Sequence, residues 1–152
     1  MKEAEMSSAA PFPLEPVTPL MPATLLLIDD NAVQAATRQT ILKRAGYFVI
    51  AALNPRRALE QLQSGDFPGE VRLVITDHLM PGMSGAEFVR ALRKTHSRLP
   101  VLVISGLPEA EEEYAGLDVT FRMKPLLPEH LLELVRRLVD MRGASSTSQV
   151  AS

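Results

Sequence analysis

The sequence predicts an α/β protein: one doubly wound, five-stranded parallel sheet with helices on both faces. Three observations point there. Runs such as Thr24-Leu25-Leu26-Leu27-Ile28 and Pro100-Val101-Leu102-Val103-Ile104 have strand length and no in–out alternation, as strands covered on both faces do. Segments of helical period lie between such runs, so consecutive strands are joined by helical crossovers and run parallel. The runs also end abruptly in polar residues, on the edge where open α/β sheets bind their ligands.

The elements come in order along the chain. The strand Thr24–Ile28 is closed by Asp29 and Asp30. A helix over Asn31–Ala45 comes next, with Thr37, Ile41, Leu42 and Ala45 expected on its inner side and Gly46 as its stop. Tyr47–Ala51 forms a second strand, and a helix over Pro55–Gln63 starts on a proline, which fits the first helical turn. The strand Arg72–Thr76 leads through a loop to a helix over Ser84–Lys94, and Pro100–Ile104 is the fourth strand. A fourth helix must fit between Leu107 and Gly116, with Pro108 as its first residue. That leaves about two turns, marginal without tertiary support. Val119–Met123 makes the fifth strand, and a closing helix from Pro128 turns Leu131, Leu134, Val135 and Leu138 inward.

Composition narrows the function. The 152 residues carry 16 Lys+Arg against 18 Asp+Glu, a formal charge of −2 without a basic patch, which argues against a dedicated nucleic-acid binder. Without cysteine there is no disulfide framework, thiolate metal site or Cys nucleophile. No apolar run approaches the ~20 residues a membrane span needs, and the N-terminus lacks the basic-then-apolar pattern of a secretory signal. A cytoplasmic domain without membrane contact is the expectation. Residues 1–22, with a proline every two or three positions from Pro11 to Pro22, read as a disordered leader, and Met21 is an alternative start. Residues 143–152 read as a loose tail, which leaves one folded domain over 23–142.

The chemistry lies in the residues directly after each strand. Asp29 and Asp30 come after the first, Asp77 after the third, Ser105 after the fourth, and Lys124 after the fifth. Three carboxylates, a hydroxyl and an ammonium therefore converge on one sheet edge. Clustered carboxylates repel unless a cation sits among them. An oxygen-only donor set suits a hard ion such as Mg²⁺. A carboxylate there can attack phosphorus to give an acyl phosphate, whose oxygens Ser105 and Lys124 would then meet.

The segments Leu27-Ile28-Asp29-Asp30, Val74 through Gly85 with its Asp77-His78-Leu79-Met80-Pro81-Gly82-Met83-Ser84-Gly85 stretch, Val103-Ile104-Ser105-Gly106 and Met123-Lys124-Pro125 resemble the receiver domain of two-component response regulators, the CheY-like superfamily. The resemblance covers about 24–140 and implies a flavodoxin-like (βα)5 fold with a shortened fourth helix. It implies that Asp77 is the phospho-acceptor, supplied by a histidine kinase or phosphotransfer protein. By the same resemblance Asp29 and Asp30 are the acidic pair that positions Mg²⁺, with the Leu79 backbone carbonyl as a further ligand. It makes Ser105 the switch hydroxyl, Lys124 the phosphate-pairing lysine with a cis bond to Pro125, and Phe121 the aromatic that changes rotamer. A phosphoryl group adds charge and acceptor oxygens, draws Ser105 and Lys124 inward, and vacates space for Phe121.

The interval from Ser105 to Lys124 is roughly one helical turn shorter than is usual in the family. This puts the usual dimerisation mode in doubt and leaves a weak homodimer open. The glutamates at 109 and 111–113 read as a solvated face. Leu79 and Leu107 flank the site and are both apolar, so neither can orient an attacking water and slow autodephosphorylation is expected. His78 is expected to point away from the metal, and Met80, Met83 and Met123 to fill gaps. The leading expectation is a stand-alone, non-enzymatic Mg²⁺-dependent switch that signals through a downstream protein or a phosphorelay. The alternatives are a scaffold that never takes phosphate and a fragment of a hybrid histidine kinase. A phosphohydrolase of the haloacid-dehalogenase type is disfavoured, because its Asp-x-Asp follows the first strand, whereas here adjacent Asp29-Asp30 precede Asn31.

Overall fold

The computed structural model describes residues 23–151, with side chains described through Asp140. The leader at 1–22 lies outside the described residues. The strands are β1 (Thr24–Ile28), β2 (Phe48–Ala52), β3 (Val71–Asp77), β4 (Val101–Ser105) and β5 (Thr120–Met123). All neighbouring pairs are parallel, in the order β2-β1-β3-β4-β5. The α-helices are α1 (Ala32–Arg44), α2 (Pro55–Ser64), α3 (Gly85–Leu92) and α4 (Pro128–Ala151). Among the described residues, no helix is long and apolar enough to cross a membrane.

The expected fold is the one adopted, and the sheet's alternation builds two cores. Leu26, Ile28, Val74, Val101 and Val103 point to one face, against Ala58, Leu59 and Leu62 of α2 and Phe88, Val89 and Leu92 of α3. Leu25, Leu27, Leu73, Ile75, Leu102 and Ile104 point to the other, against Ala35 and Leu42 of α1 and Leu131, Leu134, Val135 and Leu138 of α4. Each fully buried leucine stabilises the fold by about 1.5–3 kcal/mol relative to exposure.

Local chemistry sets the helix ends. Asn31 and Asn54 cap α1 and α2 by accepting from backbone N–H groups three residues on. Ser84 and Glu87 form a reciprocal capping box on α3. Gly65 ends α2 at φ 72°, a backbone conformation that suits glycine. These caps explain why Asn31 and Ser84 lie just outside helices expected to include them.

Some expectations need correction. The inner side of α1 carries Ala35 and Leu42, with Ile41 half-buried, while Thr37 and Ala45 are exposed. Capping at Asn31 fixes the phase of the helix, and that phase carries Ala35, Arg38 and Leu42 towards the sheet. Pro108–Tyr114 is a 3₁₀ helix, not two α-turns. A 3₁₀ helix rises about 2.0 Å per residue against 1.5 Å, so a shortened segment can still span the gap between β4 and β5. The backbone of α4 runs to Ala151, through the residues read as a tail. Met123 is exposed and fills no gap.

Arg93, the C-cap of α3, donates to the carbonyls of His96, Leu99, Leu117 and Asp118 at 2.7–2.9 Å. It ties α3 to the connection that enters β5.

Candidate functional site

β1 and β3 lie side by side at the centre of the sheet, and their C-terminal ends carry the carboxylates. The Asp29 N–H donates to Ala52 O at 3.0 Å, which continues the β1–β2 ladder one residue past the strand. Asp77 is the last residue of β3, where Ile104 of β4 is its partner. α1 begins two residues after Asp30, so its first two turns project over the same edge.

One oxygen from each of Asp29, Asp30 and Asp77 lies within 4.8 Å of the others. Asp29 is fully buried, Asp77 is buried, and Asp30 is exposed. Every oxygen of the two buried carboxylates has at least one donor. Asp29 Oδ1 accepts from the Asn31 N–H at 2.9 Å, and Asp29 Oδ2 from Gln34 Nε2 at 2.7 Å and Arg38 Nη1 at 3.3 Å. Asp77 Oδ2 accepts from the same Gln34 Nε2 at 3.0 Å. Asp77 Oδ1 faces Arg38 Nη1 at 3.2 Å and Lys124 Nζ at 3.3 Å. The Asp30 side chain has no hydrogen bond or ion pair among the described residues. Burial, then the charge of Asp29 and its hydrogen bond, push the Asp77 carboxyl above its ordinary range, against the opposing pull of Arg38 and Lys124. A hard divalent cation fits this donor set, because it offsets the repulsion and takes up the unpartnered Asp30.

The remaining expected residues lie on or just after β3, β4 and β5. Ser105 is buried, and its Oγ accepts from the Leu107 N–H at 2.9 Å. The Lys124 N–H donates to Ser105 O at 2.8 Å, which locks the two chain segments together behind the lysine side chain. The Lys124–Pro125 bond is cis. Leu79 follows Asp77 by two positions and exposes its side chain. Phe121 is half-buried on β5, with its ring centroid 5.8 Å from that of Tyr114.

His78 turns to the 3₁₀ helix rather than to the carboxylates. Its Nδ1 lies 2.8 Å from the Tyr114 hydroxyl, its Nε2 3.5 Å from Glu113, and the His78 and Tyr114 rings meet edge to face. Burial, Glu113 and Asp77 all push the Tyr114 hydroxyl well above its ordinary value, so Tyr114 stays a neutral phenol. A continuous path of side chains therefore runs from the residue after Asp77 through Tyr114 to Phe121.

Sequence reasoning did not find Gln34, Arg38 or Tyr114. The signal for the first two was present: a helix capped at Asn31 places positions 34 and 38, one turn apart, over the strand ends. No sequence spacing indicates Tyr114, which ends the 3₁₀ helix and meets His78 and Phe121 there.

The response regulator receiver domain profile matches residues 25–136. The chain belongs to the response regulator receiver family. Among curated relatives, this receiver is similar to the C4-dicarboxylate transport transcriptional regulatory protein DctD of Pseudomonas aeruginosa, 36% identical over 140 residues, covering 90% of this chain and 28% of the relative. It is also similar to the response regulator MprA of Mycolicibacterium vanbaalenii, 34% identical over 122 residues, covering 78% and 51% respectively. The receiver thus spans 28% of the one and 51% of the other. Among solved structures it resembles the chemotaxis protein CheY4 of Vibrio cholerae, with TM-score 0.68 and 31% identity over 77% of this chain and 98% of that one. Receivers are signalling domains of two-component systems and typically bind Mg²⁺ at an acidic pocket, and this one has the aspartate cluster.

Proposed function

We propose that this receiver is a Mg²⁺-dependent phospho-acceptor switch, in which Asp77 takes a phosphoryl group from the phosphohistidine of a histidine kinase or phosphotransfer protein. The observation that carries the reading is the meeting of Asp29, Asp30 and Asp77 within 4.8 Å, with Lys124 Nζ 3.3 Å from Asp77 Oδ1. An Asp77 oxygen attacks phosphorus, the P–N bond breaks, and the departing imidazole keeps the bonding pair and takes a proton. Asp29, Asp30, Asp77 and the Leu79 carbonyl would hold Mg²⁺. Bound Mg²⁺ supplies positive charge that offsets carboxylate repulsion and neutralises phosphoryl oxygens. Lys124 pairs with one of those oxygens, and Ser105 Oγ exchanges its Leu107 partner for another. Phe121, already against Tyr114, follows Ser105 inward and alters the β4–β5 face, which a downstream protein or the next relay component reads.

A second reading, a scaffold that never takes phosphate, draws support from the donors that already fill Asp29 and Asp77. One experiment separates the two: intact mass after incubation with acetyl phosphate, with and without Mg²⁺, on the wild type and Asp77→Asn. One phosphoryl adduct that needs both Mg²⁺ and Asp77 supports the switch. No adduct, under conditions that label a control receiver, supports the scaffold.

A further inference from the structure

The same donors carry an inference about loading of the site, and it rests on the Mg²⁺-dependent reading above. Every oxygen of the two buried carboxylates already accepts at least one donor, and Arg38 and Gln34 each bridge both. Of the two, only Arg38 is charged. Its side chain is 11% exposed, and its Nη1 sits 3.2 Å from Asp77 and 3.3 Å from Asp29, between the groups that would bind the metal. A guanidinium and a divalent cation compete for the same lone pairs and repel each other.

We propose that Arg38 is a built-in counter-ion that holds the metal-free site together and must withdraw before Mg²⁺ can load. The structure provides a place for it to go. A cavity of about 460 Å³ lies beside the site, and Arg38 itself lines it together with Thr37, Ile41, Lys124, Pro125 and Leu131 among others. α1 is fixed by its Asn31 cap and by Ala35 and Leu42 in the core, so the movement is one of rotamer, not of helix. The arrangement sets the Mg²⁺ concentration at which the site becomes competent. The phospho-acceptor's readiness then depends on a residue outside the acidic set.

The test is Mg²⁺ binding by isothermal titration on the wild type, Arg38→Leu and Arg38→Gln, with thermal melts of each in chelator and in saturating Mg²⁺. Both variants are expected to bind Mg²⁺ ~10-fold more tightly than the wild type or better. They should also melt lower than wild type in chelator, and the deficit should close in Mg²⁺. Equal or weaker Mg²⁺ binding by the variants overturns the proposal and leaves the metal-dependent reading intact. A melting deficit of the same size with and without Mg²⁺ also overturns it, because it marks Arg38 as packing alone. If neither the wild type nor the variants bind Mg²⁺, the metal-dependent reading fails and takes this proposal with it.

Discussion

Gly85 is the position where a single methyl group should do most harm. It is the first residue of α3, buried, with its N–H donating to His78 O at 2.8 Å. A Cβ there would meet the backbone oxygen of Asp77 at 2.6 Å and His78 Cα at 3.1 Å, and would also collide with the Tyr114 hydroxyl. An ordinary carbon–oxygen contact is about 3.3–3.6 Å, so nearly 1 Å must be found. The carbonyl cannot supply it without moving Asp77. Tyr114 cannot step aside without losing its 2.8 Å bond to His78. Overpacking of this kind costs about 1–3 kcal/mol or more. The helix propensity gained by replacing glycine with alanine offsets at most about 1 kcal/mol. Gly85→Ala is therefore expected to destabilise the domain by about 2 kcal/mol and move its urea midpoint down by about 1–2 M at unchanged slope. Asp77 labelling by acetyl phosphate should fall with it. Adding Tyr114→Phe removes the hydroxyl contact but not the carbonyl contact, so it should not restore wild-type stability. A Gly85→Ala unfolding free energy within about 0.5 kcal/mol of wild type would refute the reasoning.

Other perturbations test neighbouring links. Tyr114→Phe leaves a buried His78 nitrogen without its partner and should cost about 1–3 kcal/mol in chemical unfolding; a neutral result would mean that the bond contributes nothing. Because the Asp77 pKa is raised on folding, its contribution to stability is fully present below the ordinary carboxylate value and is lost as pH rises through the raised one. Asp77→Asn should therefore melt above wild type at pH 7 in chelator, with the gap narrowing towards low pH. A lower melting point at pH 7 would contradict the balance of burial and Asp29 repulsion over Arg38 and Lys124. Changing Leu79 and Leu107 together to polar residues should speed loss of the phosphoryl group several-fold in a mass-resolved time course, and unchanged decay would show that neither position governs water.

Most of the fold was legible because its central strands are largely apolar and its helices carry their own punctuation at Asn31, Asn54, Gly65 and Ser84. The site was legible as far as it depends on strand ends, since Asp29, Asp77 and Ser105 are placed by chain direction alone. Arg38 and Gln34 were not, because their role depends on helix phase, and an apolar count of α1 favoured a stripe through Thr37 and Ala45 that the Asn31 cap rotates away. Tyr114 depends on a 3₁₀ segment whose seven residues include four glutamates and give no periodic cue.

The mounting of the site residues is uneven. Asp29 and Asp77 stand at the ends of strands buried along nearly their whole length, whereas Lys124 follows a four-residue edge strand with no fully buried position. Substitutions behind the aspartates must be compatible with two packed cores, while the last two residues of β5, Arg122 and Met123, are exposed. Mutational tolerance should therefore be lopsided: a library randomised over 122–123 would keep most members folded while varying how the lysine is presented, and one over 73–76 would lose the fold first. For anyone retuning this site, the lysine side is the adjustable one.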